Sequence, residues 1–349
     1  MDKKQITVDR EYLIRCMREL IQTPSPVGCY EEITPLIEAY AAELGYQISC
    51  DRKHTIYITV DGQDNTKTVM VGAHLDTLGL MVRRIDEDGS ILVRQLGGVN
   101  YYSLEGETVT VHTRDGRRYT GLMACKSHST HVFDDARTLT RDETTMMVRL
   151  DEKVSGKREV LELGISNGDI ISIEPRFQYL PNGYIKSRFI DDKAGAAAVF
   201  AALKYMKEHE LKPEYRTLLA FSFYEEINHG GSYIPKEVEE MVAVDIGLIG
   251  PDYDGNERSV SICVKDNFSP YDRGLTNKLI GIAEEMGLSH AVDVFYRYGT
   301  DANAAVRAGN NVYAAAFGMA CYCSHGMERT HVTGVEETVK LILGYLLSK

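Results

Sequence analysis

The chain predicts an α/β fold: a mostly parallel sheet flanked by helices, interrupted by an inserted, small, all-β barrel-like domain. Three observations carry this expectation. Apolar runs such as Thr68–Ala73 alternate with helix-period segments near the start and in the second half. From about Leu78 to Glu174 the texture changes to short β-rich runs divided by Asp88-Gly89, Gly97-Gly98, Glu105-Gly106, Asp115-Gly116 and Asn167-Gly168. At 349 residues the chain also exceeds one average domain. The expected boundaries are 1–76 with 175–349 for a discontinuous α/β domain, and 77–174 for the insert.

The elements follow in order. Tyr12, Leu13, Cys16, Met17 and Leu20 recur at helical spacing over 9–21, and Thr23-Pro24-Ser25-Pro26-Val27-Gly28 breaks that helix. A second helix is expected over 31–44, then strands at Ile56–Val60 and Thr68–Ala73, the latter apolar enough to be buried on both faces. Within the insert, Ser90–Arg94, Thr108–His112, Met146–Leu150 and Ile170–Glu174 read as strands. After Tyr184, the Ala-rich Ala194–Lys207 reads as a helix and Arg216–Phe223, Val242–Gly247 and Val260–Val264 as strands. Leu275–Met286 is helical, Val312–Phe317 a strand, and Val335–Leu347 a closing amphipathic helix. Strands alternating with helices argue for a sheet covered on both sides.

Composition removes several classes of function. With 39 basic against 51 acidic side chains the net charge is −12, which disfavours nucleic-acid or anionic-membrane binding, since phosphate contact needs clustered Lys and Arg. A negative field mildly attracts cations, divalent metals included. Seven Cys without a CxxC pair make a poor disulfide framework and suit a reducing compartment. The opening Met1-Asp2-Lys3-Lys4-Gln5 has no apolar signal core and no run reaches membrane-helix length. A cytoplasmic protein is expected.

Several metal-capable side chains fall at the carboxyl ends of expected strands, where ligands bind in open α/β sheets. His74 and Asp76 follow Thr68–Ala73; two residues apart at a strand end, Asp76 is placed to accept the second imidazole N–H of His74, leaving one nitrogen for a metal. Asp191-Asp192-Lys193 sets two carboxylates before a helix, Asp191 to bridge two cations and Asp192 to cap. Glu225-Glu226 follow an apolar strand; in extended chain they face opposite ways, one toward metal and one toward a water. Two close acids raise each other's pKa, as a general base near neutrality requires. Asp245 amid apolar residues is costly unless paired or metal-coordinating. His325 completes the set. This oxygen-rich shell with imidazole and no Cys suits two divalent ions, not a purely structural zinc site. Capping accounts for Thr300-Asp301, with a substrate contact the alternative. His128 and His131 read as an exposed or hydrogen-bonded pair, and Cys321-x-Cys323 as core packing.

These residues, in this order, resemble the dinuclear-metal aminopeptidases of clan MH, the glutamyl and deblocking aminopeptidase-like enzymes that form tetrahedral dodecamers and whose members are sometimes labelled endoglucanases. The matched pieces are Ala73-His74-Leu75-Asp76-Thr77-Leu78-Gly79-Leu80-Met81-Val82, Asp191-Asp192-Lys193-Ala194-Gly195, Glu225-Glu226-Ile227, Val244-Asp245 and Gly299-Thr300-Asp301-Ala302, and the likeness covers nearly the whole chain. The resemblance implies a zinc-exopeptidase-like catalytic domain with ligands at His74, Asp191, Glu226, Asp245 and His325, and Asp191 bridging. It implies Glu225 as general base, Asp76 orienting His74, and Thr300 and Asp301 near substrate. It further implies two ions per subunit (zinc, cobalt or manganese), short peptide substrates cleaved at the N-terminal residue, an insert serving oligomerisation or substrate access, and dimers assembling to a dodecamer. The family's His-Ser-Pro-like segment reads Ser324-His325-Gly326-Met327-Glu328-Arg329-Thr330-His331 here, so His325 is the expected ligand and His331 the alternative. Rival readings are a di- or tripeptidase, an amidohydrolase of a specialised small amide, a metal-independent glycoside hydrolase built on paired carboxylates, and a structural subunit without metal.

Overall fold

A computed structural model of the chain describes residues 6–349; the charged stretch Met1–Gln5, read above as lacking a signal core, lies outside them. The chain forms two compact units, one running to Asp76 and resuming at Arg176, the other Thr77–Pro175.

The α/β unit is built on a mixed sheet. From one edge its strands run Ile48–Cys50, Ile56–Val60, Tyr215–Ser222, Asp64–His74, Val238–Val244, Tyr313–Cys321, Val260–Lys265 and His290–Val294, with Gly247–Leu248 beside Tyr313–Cys321. The four central strands from Tyr215–Ser222 to Tyr313–Cys321 pair in parallel; antiparallel pairing enters at Val260–Lys265 and at the Ile56–Val60 edge. Parallel registry puts their carboxyl ends along one rim: Ser222 pairs with His74, and Ala243 with Gly72.

Helices cover the sheet. Arg10–Gln22 starts at Asp9, whose carboxylate accepts the Tyr12 N–H at 3.0 Å. Ile190–Glu208 is wholly buried over most of its length, and its run of Gly195 and Ala residues lets it seat close to the sheet, where the Phe200 and Phe221 rings stack at 5.1 Å. Val332–Leu346 packs on the same helix and turns Val335, Val339, Ile342 and Leu343 into the core.

The second unit is a closed barrel of Gly79–Ile85, Ile91–Leu96, Met146–Leu150, Arg118–Cys125, Thr108–His112 and Ile170–Ile173. Strands Gly79–Ile85 and Arg118–Cys125 and the short helix Lys157–Glu162 are additional to the elements expected there. In the barrel Tyr101 is buried and Tyr102 exposed, and His128 packs edge-on against Phe133 at 5.2 Å. No helix among the described residues is long and apolar enough to cross a membrane.

Candidate active site

Five segments converge at the rim of the α/β sheet. His74 is the last residue of its strand and 3% exposed. Its Nε2 lies 3.0 Å from Asp191 Oδ1 and 3.7 Å from Glu225 Oε2. Across the cluster, His325 Nε2 stands 3.6 Å from Asp191 Oδ2 and 3.4 Å from Glu226 Oε2. Asp191 thus offers one oxygen to each imidazole. Ligand atoms of His74, Asp191 and Glu226 lie within 4.8 Å of one another, as do those of His74, Glu225 and Asp245. Hard carboxylate oxygens and imidazole nitrogens, with no thiolate, fit divalent zinc, cobalt or manganese.

The local backbone explains the convergence. Asp191 and Asp192 precede the regular helix with non-helical dihedrals, after Phe189 at φ 65°, and the peptide bond between them is cis. Asp192 folds back: its Oδ2 accepts the His74 N–H at 3.3 Å, and a Cβ on Gly195 would sit 2.2 Å from its Oδ1, so any larger residue there would displace the Asp192 carboxylate. Lys193, wholly buried, donates to the Thr23 carbonyl at 2.5 Å and ties the Thr23–Pro26 break to the helix start. Burial pushes its amine down to about 7.

Three readings of the sequence change. Glu225-Glu226 are not extended chain but a 3₁₀ turn beyond the strand, because the two carboxylate oxygens of Asp76 accept their N–H groups, each at 3.1 Å. Divergence of the two side chains therefore comes from the turn, not from strand alternation. Asp76 meets His74 chiefly through its main chain: Nδ1 is 2.9 Å from the Asp76 carbonyl oxygen and 3.5 Å from Oδ1. Its carboxylate is engaged by the glutamate turn. Asp245 lies just past its strand, which ends at Val244; its N–H still reaches the Phe317 carbonyl at 3.0 Å and its Oδ1 accepts the Ile246 N–H at 2.7 Å.

Other candidates are placed by their partners. Thr300 caps the Asp301–Arg307 helix and pairs with the Tyr271 hydroxyl at 2.7 Å; Asp301 accepts the Ser222 hydroxyl and the Gly231 N–H. Both are buried, and a Cβ on Gly231 would lie 2.0 Å from the Asp301 carbonyl oxygen. Asp301 is thereby tied to Ser222, the strand partner of His74. His331 caps the last helix: Nδ1 accepts the Thr333 N–H at 3.1 Å and Nε2 faces the Asn182 carbonyl at 3.0 Å, so both ring nitrogens are engaged away from Asp191. Cys321 is buried and Cys323 exposed, both free. Glu328 was not singled out; it is buried and accepts N–H groups of Asp191 and His325. Its only mark in the sequence is an acid three residues after His325; the structure places it at the start of the Glu328–His331 strand.

Electrostatics follow from crowding in low dielectric. Burial, then the neighbouring acids, push Glu226 well above the ordinary carboxylate range; Glu225 rises likewise, chiefly through burial, with His74 opposing. Asp245 is pushed up to about 8 by burial and by Asp191. Burial also works upward on Asp191, but the His74 hydrogen bond and the charges of both imidazoles prevail and hold it low. In His74 burial opposes the charged form and is outweighed by Asp191 and Asp76, so its pKa is raised. So many carboxyls around two imidazoles repel one another unless protons or cations intervene.

Comparison with known proteins finds relatives over most of the chain. The model of the M42 glutamyl aminopeptidase family matches residues 55–341. YhfE of Bacillus subtilis (strain 168), provisionally named an aminopeptidase, is 37% identical over 333 residues, covering 95% of this chain and 96% of its own. The lysyl aminopeptidase of Pyrococcus furiosus is 26% identical over 66% of this chain and 65% of its own, and the glutamyl aminopeptidase of Lactococcus lactis subsp. cremoris 26% identical over 56% and 55%. Among solved structures, the TET aminopeptidase of Thaumarchaeota archaeon SCGC AB-539-E09 superposes with a TM-score of 0.86 at 17% identity, covering 97% of this chain and 96% of its own. The Pyrococcus horikoshii TET1 peptidase, which can assemble into a tetrahedron or a large octahedral shell, gives 0.83 at 24% identity over 97% and 100%.

Proposed function

The chain belongs to the M42 glutamyl aminopeptidase family, and from that premise we propose that it removes N-terminal residues from short peptides, using two divalent ions held by His74, Asp191, Glu226, Asp245 and His325. The observation that carries this is Asp191, whose two oxygens face His74 Nε2 at 3.0 Å and His325 Nε2 at 3.6 Å, as a carboxylate shared between two ion positions should. When bound, the ions supply Lewis acidity at the scissile carbonyl and ease deprotonation of the attacking water.

The chain's own groups do the rest. Glu225, in the turn held by Asp76, takes a proton from the attacking water and returns it to the leaving amine. Burial moves its pKa upward, the direction a general base working near neutrality needs. Asp76 fixes where that carboxylate can reach, and its carbonyl sets the His74 tautomer by accepting from Nδ1, leaving Nε2 as the ligand. The acidic surroundings favour a protonated α-amine, which suits an enzyme acting on free N-termini. The chain further works as a homo-oligomer of the kind seen in the TET1 peptidase, dimers assembling to a dodecamer, in the cytoplasm.

The test is Glu225→Gln. Turnover of aminoacyl reporters and short peptides should fall by about 10²–10⁴-fold, with bound metal unchanged by elemental analysis, and chelation of the unmodified enzyme should abolish activity until zinc, cobalt or manganese is restored. Retained turnover in the variant would remove Glu225 from the role, and chelator-resistant activity would remove the ions.

A further inference from the structure

Glu328 contributes no atom to either ion position, yet it is bonded to two residues that do. Its side chain is buried, Oε2 accepting the Asp191 N–H at 3.1 Å and Oε1 the His325 N–H at 3.2 Å. The short ladder between Tyr184–Ser187 and Glu328–His331 brings it there: Ser187 pairs with Glu328, so the strand leading toward Asp191 lies against the strand leaving His325. His325 stands at φ 61°, in the left-handed region that a non-glycine residue occupies only when held. A turn bond from the Gly326 N–H to the Cys323 carbonyl at 3.0 Å supports it from the other side. Gly326-Met327 follow, and neither restrains φ as a proline would.

We infer that Glu328 is a positioning residue for the ion pair: one carboxylate, clamped on the backbones of Asp191 and His325, sets the spacing between the bridging ligand and the imidazole of the second ion position. The inference rests on the two-ion reading above. A carboxyl group suits this place: two N–H groups point at it, one to each oxygen. A glutamine offers one oxygen and turns its NH₂ against the other N–H, and an aspartate falls short by one methylene.

The experiment is a cobalt(II) titration of the metal-stripped full chain, followed by visible absorption, with elemental analysis after dialysis. The unmodified protein should take two equivalents. Glu328→Gln should keep one at near-normal affinity and bind the second about 10–100-fold more weakly, the usual cost of losing a hydrogen bond behind a ligand. Its activity should be regained at high cobalt with KM unchanged, which a merely structural defect would not permit. Glu328→Asp should show the same split and serves if the Gln variant does not fold. Arg329→Ala, which removes the adjacent surface pair with Glu257, should titrate like the unmodified chain. Two unaltered equivalents in a folded Glu328 variant overturn the inference and leave the two-ion reading standing. Fewer than two equivalents in the unmodified chain overturn both.

Discussion

Asp76 offers the sharpest way to separate two accounts of the site. In one, its carboxylate works through His74; in the other, through the Glu225-Glu226 turn. The structure favours the second, since both oxygens are engaged by the turn at 3.1 Å while Oδ1 is 3.5 Å from His74 Nδ1, which already has the Asp76 carbonyl at 2.9 Å. Asp76→Asn keeps the shape and the carbonyl but replaces one acceptor oxygen with a donor. One of the two N–H groups then faces an NH₂. A hydrogen bond to a charged group contributes about 1.5–3 kcal/mol, so about that much turn stabilisation goes. If all of it is expressed in placing Glu225 during the reaction, kcat falls by about 10–150-fold. The assay is kcat and KM on an aminoacyl reporter, with metal content measured on the same samples. Metal should stay bound, KM should hold, and excess metal should restore nothing. Loss of metal with kcat recovered at high metal concentration would refute the reasoning, because it would show that the carboxylate acts through the imidazole.

The remaining predictions concern the last ligand and the scaffold. His325→Ala should release one ion per subunit, read by elemental analysis, whereas His331→Ala should keep both ions and lower stability by about 0.5–2 kcal/mol in urea unfolding through loss of its cap. Glu240 is partly desolvated, which raises its pKa, but hydrogen bonds from Lys67 and from the Tyr345 hydroxyl at 2.7 Å outweigh this and lower it below the ordinary 4.5. Its contribution is therefore fully present above about pH 4.5, the unfolded-state value, and is lost as pH falls through the lower folded value. Glu240→Gln should flatten that part of the curve of unfolding midpoint against pH, and an unchanged acid limb would exclude Glu240 from it.

Much of the architecture was legible because it rests on periodicity. Thr68–Ala73 is apolar at nearly every position, so it had to be a strand buried on both faces, and the turn-punctuated segment after Leu78 could hardly be anything but antiparallel β. Strand Arg118–Cys125 is less legible, because its outward positions include the apolar Leu122 and its inward ones Gly121, which blurs the apolar–polar alternation although the burial itself alternates. The expected Val242–Gly247 strand is in fact broken after Val244 and resumes as the two-residue strand Gly247–Leu248.

For the site, the sequence by itself determined which chemistry was on hand: imidazoles and carboxylates at strand ends, in an order resembling one family of metal-dependent peptidases. Residue type and position along the chain are enough for that, because parallel strands deliver their carboxyl ends to one rim. What only the tertiary structure decided is how each group is committed. His331 is as capable a ligand as His325 until the Thr333 N–H and the Asn182 carbonyl are seen to occupy its nitrogens. Asp76 and Glu328 are ordinary acids until their oxygens are found on backbone N–H groups from distant segments. Hydrogen bonds act over about 3 Å, and which donors come that close is set by packing between residues more than a hundred positions apart, a quantity no local pattern carries.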